Sequence, residues 1–151
     1  ALLEEHVSQL SPRQLALVAW SLARLREVAG LGQLPAALQE QAPRLDAQAV
    51  SMSLWAFAAG AWHGEAAAVQ TLAHEAAARL PQSSPQGLAN SIWACSPLRL
   101  LHVPLLQAVA APFTAGLRLL EPWKVAPQAL ANMLWAVSAL AASGVEDLIE
   151  A

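Results

Sequence analysis

SPQGLANSIWA (84–94) and APQALANMLWA (126–136) agree at seven of eleven positions. A chain that repeats a phrase is built from copies of one unit, and the period of that unit decides the fold before any single motif does. Aligning on the tryptophan of the phrase brings out two more copies. Trp20, Trp55, Trp93 and Trp135 recur at a nearly even interval. Their contexts are SPRQLALVAWSLARL, DAQAVSMSLWAFAAG, SPQGLANSIWACSPL and APQALANMLWAVSAL. Five positions before each tryptophan stands Leu15, Val50, Leu88 or Leu130, and one position before it Ala19, Leu54, Ile92 or Leu134.

Each copy opens like a helix. Ser11, Asp46 and Ser84 are residues whose side-chain oxygen caps a helix N-terminus, and Ser11 with Gln14 has the spacing of a capping box. Pro12, Pro85 and Pro127 follow at the first turn, where a missing N–H costs nothing. A second helix is expected in each unit at about 34–44, 65–80 and 103–120, with Gly30, Gly32, Gly60, Gly64, Pro97, Ser143 and Gly144 punctuating the links. Alanine and leucine dominate the 151 residues and β-branched residues are few, which favours helix.

The expected fold is all-α, an α-solenoid of stacked helix–turn–helix repeats of about 38 residues. The partial unit 1–10 precedes repeats at about 11–45, 46–83 and 84–125, and a partial unit 126–151 follows. The chain reads as a window of a longer array, since neither end carries a repeat with a polar outer face.

Placed at 100° per residue, the tryptophan and the positions one, four and five before it and two and three after it gather on one side. They are small or apolar throughout, apart from Ser51, Ser96 and Ser138. This stripe is the expected core, with Trp20, Trp55, Trp93 and Trp135 in it. So buried, each would cost about 3–5 kcal/mol to truncate to alanine. Trp62 and Trp123 lie outside the motif and are the better candidates for stacking on a base.

The phrase P-Q-x-L-A-N-x-L/I-W-A on a two-helix unit resembles the octotricopeptide repeat family, itself similar in plan to heptatricopeptide repeats and FAST-kinase-like RNA proteins. Copies three and four match closely, whereas Leu17 and Met52 stand where the family favours asparagine. The resemblance implies an organellar RNA-binding protein, mitochondrial or chloroplast, that stabilises or organises RNA, including rRNA in an organellar ribosome. The implied partners are RNA and neighbouring proteins of a large complex. The alternative is a protein–protein scaffold segment with no RNA contact, favoured by the net charge of −3.

Opposite the stripe, Gln86, Asn90 and Ala94 form one ridge, and Gln128, Asn132 and Ala136 repeat it. Such amides either read base edges and backbone oxygens or pin the neighbouring loop. Their identical recurrence favours pinning, because a base-reading position should vary from copy to copy. Variation occurs beside the ridge, at Gln14, Ala49, Gly87 and Ala129 and at Val18, Ser53, Ser91 and Met133. Candidate RNA-binding residues are therefore Gln86, Asn90, Ser91, Gln128, Asn132 and Gln14, with Arg13 among eight scattered cations.

No chemistry is expected of this segment. Glycine-rich phosphate loops and hydrolase or metalloprotease motifs are absent from the sequence, and the four histidines lack ligand spacing with each other or with Cys95. We expect no catalysis, metal, cofactor or small-molecule substrate. The uncharged run 125–145 contains Pro127, Gln128, Asn132 and Ser138, which suits a buried helix and a loop rather than a membrane span. The first ten residues carry two acids and no base and read as neither signal nor transit peptide.

Overall fold

The computed structural model describes residues 6–27, 32–62, 64–100, 102–105 and 107, with single positions at 127, 131, 134, 135 and 138. The fold is all-α, with no strand among the described residues. Five helices are complete: α1 (Pro12–Leu25), α2 (Leu34–Gln41), α3 (Ala47–Ala59), α4 (Ala66–Ala78) and α5 (Pro85–Cys95).

The expected caps form. Ser11 Oγ accepts from Gln14 N at 3.4 Å while Gln14 Oε1 accepts from Ser11 N at 2.8 Å, closing the capping box. Asp46 Oδ1 accepts from Ala49 N at 2.7 Å, and Ser84 Oγ from Gly87 N at 3.0 Å. Each cap satisfies one orphan donor and contributes about 1 kcal/mol.

Two features recur in the same register without any sequence identity to announce them. A single 3₁₀ turn precedes each of α1, α3 and α5: Val7–Gln9, Ala42–Arg44 and Leu80–Gln82. One extended residue (Leu10, Leu45 or Ser83) then leads into the cap. The same three helices end alike. The N–H of Glu27, Trp62 and Leu100, seven after the tryptophan, bonds to the carbonyl of Leu22, Phe57 and Cys95, two after it. The residue just before that N–H is left-handed in each copy: Arg26 at φ 55°, Ala61 at φ 56° and Arg99 at φ 48°. This hydrogen-bonded reversal usually takes glycine, so three non-glycine residues hold it under strain.

α1, α3 and α5 lie side by side, α1 against α3 and α3 against α5. α2 and α4 form a second row beneath, α2 against α1 and α4 against α3. Leu15, Leu34, Leu38, Leu54, Phe57 and Leu72 fill the space between rows and are at most 1% exposed. Fully burying such a side chain contributes about 1.5–3 kcal/mol. Close approach within the first row rests on small residues. A Cβ on Gly87 would stand 3.2 Å from Ser51 Oγ, so α5 carries glycine where its neighbour α3 presses in. The second helices match the expected 34–44 and 65–80, each ending in its 3₁₀ turn. The one expected at 103–120 is described only as helix at residues 103–105 and 107, and the unit expected at 126–151 lies outside the described residues apart from its five single positions.

Ala61→Gly relieves the left-handed strain where the new residue faces no penalty at that φ. It should raise unfolding stability by about 1 kcal/mol, read as a higher urea midpoint at unchanged slope.

Candidate functional site

α3 has a helix on each side and one beneath. After Ala47, only Gln48, Met52, Trp55 and Ala59 reach solvent. These stand seven and three before the tryptophan, at it, and four after, within about 60° of the helix wheel. In α1 the same register gives Arg13, Leu17, Trp20 and Arg24, and in α5 Gln86, Asn90 and Trp93. The candidate site is this stripe, carried across the row of first helices.

The tryptophans are not core. Trp20 is 37% and Trp135 52% exposed, and Trp55 and Trp93 are half-buried at the edge of the core. The stripe beneath them is lined with alanine and serine, such as Ala16, Ala19, Ser51 and Ala89, all buried. Helices packed on residues that small leave no volume for an indole. The rings turn along the surface and meet one another instead. Trp20 and Trp55 centroids lie 6.4 Å apart at 37°, Trp55 and Trp93 6.3 Å at 29°, and Trp93 and Trp135 6.2 Å at 29°. The result is a four-ring ladder crossing the row, each contact contributing about 0.5–1.5 kcal/mol. Arg24 places its guanidinium 5.4 Å from the Trp20 ring centre, a cation–π contact at the ladder's end.

Several site residues read from the sequence are placed differently. Ser91 is 5% exposed, and its Oγ donates to Gly87 O at 3.0 Å. Ser53 is fully buried and donates to Ala49 O at 2.8 Å. Both lie on the flank facing the preceding first helix, so the variable positions beside the ridge are packing positions in α3 and α5. Gln14 is exposed, but its side-chain oxygen is taken by the Ser11 cap. Gln86 and Asn90 do share a ridge, and Gln86 Nε2 donates to Asn90 Oδ1 at 2.9 Å. That ridge runs on to Trp93, because Ala94 is buried against the row. Gln128 and Asn132 lie outside the described residues. Arg13 is exposed and lines a shallow groove between α1 and α3 with Leu17, Asp46, Gln48 and Met52. Trp62 is no stacking platform. It is 4% exposed, sits edge-on to Phe57 at 5.4 Å, and its ring occupies the space a Cβ on Gly60 would need. Trp123 lies outside the described residues.

Sequence reasoning did not single out Leu17, Gln48 or Met52 as site residues, and counted Arg24 only among the eight scattered cations. Their signal was available: all fall in the register of the Gln86–Asn90 ridge, extended by one turn past the tryptophan. The helices of the two rows differ in charge, although Arg44 and Arg79 directly follow α2 and α4. α1, α3 and α5 contain no carboxylate and carry Arg13 and Arg24, with Asp46 as a cap at the row's edge. α2 and α4 carry Glu40 and Glu75, the latter paired with Arg79.

Elsewhere, Cys95 is buried, its thiol donates to Ser91 O at 3.3 Å, and burial pushes its pKa up to about 12, so it stays protonated. His74 and His102 meet edge-to-face at 6.3 Å, a pairing that their separation along the chain does not reveal. Among the described residues no group of three histidine, cysteine or acidic side chains is placed to hold a metal ion. Among them, too, no helix is long and apolar enough to cross a membrane. No family model, no curated protein and no solved structure matches the chain.

Half-burial lowers what each ladder ring contributes. Trp93→Ala should cost about 2 kcal/mol in chemical denaturation, short of the loss at a buried aromatic. A second expectation concerns pH. Burial, and then the charge of His74, hold His102 below its usual pKa of 6.5, and its Nδ1 accepts from Leu105 N at 3.1 Å, which requires the neutral ring. The unfolded chain therefore takes up this proton first, and stability should fall as pH drops from 6.5 through the lower folded pKa. His102→Asn keeps a capping acceptor that does not titrate. Thermal midpoints measured across that window should decline less steeply for this variant than for the parent.

Proposed function

We propose that this chain is a segment of an α-solenoid of repeated helix–turn–helix units whose row of first helices binds single-stranded RNA. The repeating 3₁₀ turn, cap and left-handed terminus support the solenoid reading, because three units of different sequence adopt one register. The observation that carries the RNA reading is the composition of the exposed stripe. It combines arginine (Arg13, Arg24), amides (Gln48, Gln86, Asn90) and tryptophan, and no carboxylate lies within its three helices. Cations neutralise phosphates, amides meet bases and sugars, and aromatic rings suit unpaired strands. Glu40 and Glu75 lie on the other row, while Asp46 stands at the edge of this one beside Arg13, its carboxylate already accepting from Ala49 N.

From the resemblance of the repeat phrase comes the setting: an organelle, with rRNA of an organellar ribosome as one target and neighbouring proteins as further partners. In this reading the segment holds RNA and performs no chemistry. A protein–protein scaffold is the second reading, and exposed Leu17 (45%) and Leu25 (76%) favour it.

Fluorescence anisotropy of the full chain with a single-stranded RNA across a salt series separates the two. RNA binding should weaken with salt. The double variant Arg13→Gln, Arg24→Gln should bind more weakly and flatten the log–log salt slope by about 1.4, or roughly 0.7 per lost phosphate contact. Absence of binding at low salt, together with capture of a partner protein that Leu25→Asp abolishes, would establish the scaffold reading instead.

A further inference from the structure

The tryptophans of a repeat are ordinarily explained by packing, and here that explanation is incomplete. The ladder crosses the first-helix row in the open, with Trp20 and Trp135 more than a third exposed. Its four indole N–H groups donate to no described residue. By contrast, the Trp62 nitrogen is buried and without a partner, so it is sealed from any ligand. We infer that the ladder of Trp20, Trp55, Trp93 and Trp135 is itself a contact track for the RNA backbone, its indole N–H groups donating to phosphate and ribose oxygens independently of sequence. This rests on the RNA reading above.

Three observations carry it. The first is access. On α3 the surface is reduced to Gln48, Met52, Trp55 and Ala59 beyond its first residue, so a strand laid across the row has to touch Trp55. The second is what the rings have left to offer. Ring centroids only 6.2–6.4 Å apart fall short of the roughly 7 Å, two contact distances of about 3.5 Å, that a base sandwiched between neighbouring rings would need. Edges and N–H groups remain, and an indole nitrogen only donates. The third is charge complementarity. Arg24 extends the ladder at Trp20 and Arg13 stands in the same register two turns away, while the Asn90 oxygen is already bonded to Gln86. The track thus presents donors and cations, which is what a polyanion requires.

The test follows the indole N–H proton resonances of the full chain by NMR during titration with two probes, oligouridine and a mixed-sequence RNA oligomer. Single Trp→Phe variants assign the resonances. The ladder resonances should move with both RNAs while that of Trp62 stays in place. Trp55→Phe keeps an aromatic ring but deletes the donor, and should weaken both RNAs alike by about five- to tenfold. If RNA binds with the salt dependence set by Arg13 and Arg24 but the ladder resonances stay fixed, the track is overturned and the RNA reading stands. If neither RNA binds, both are overturned together.

Discussion

Close approach of α1, α3 and α5 is the constraint on which the rest of the molecule depends. Alanine, serine and glycine at the facing positions let the three helices lie against one another, with Gly87 set directly against Ser51. A helix so confined hides most of its circumference. What stays in solvent is a narrow stripe, and whatever the protein does on this face is done by the few side chains in it. The same close packing expels the indoles, because a core lined with methyl and hydroxymethyl groups has no room for them. Ladder and stripe are two results of one steric fact.

Backbone geometry keeps the stripe in line from unit to unit. The 3₁₀ turn and the cap set where each first helix begins, and the left-handed residue sets where it ends. Trp20, Trp55 and Trp93, each at the same distance from its cap and its left-handed residue, then arrive at one level on α1, α3 and α5, which is why their rings meet at nearly equal spacings. Strain at Arg26, Ala61 and Arg99 is the cost of reversing the chain without glycine, offset by a 2.8–3.0 Å hydrogen bond closing each reversal.

Much of this was legible in the residues. Periodicity located the first helices and two of the second helices, and Ser11, Asp46 and Ser84 marked their starts, because capping is local chemistry that sequence spells out. The buried stripe was legible too, except at its edge. A helical wheel records direction and not volume, so it put the tryptophans with their small neighbours. It also took no account of helices to either side, and so left Ser53 and Ser91 in solvent. The left-handed ends were hidden because no glycine marks them. The His74–His102 contact was hidden because it joins α4 to the residue capping a later helix through the fold alone. The absence of carboxylates within α1, α3 and α5 was written in the sequence, but a net value for the whole chain does not show it.

If the first-helix row is the surface that meets RNA, ultraviolet crosslinking of the full-length protein in its native particle will find it there. After digestion, the RNA-linked peptides should map to residues 12–25, 47–59 and 85–95, the first helices that carry the exposed stripe. Crosslinks confined to residues 34–41 and 66–78, or to other parts of the chain, would contradict it and leave the first-helix row as a surface for protein.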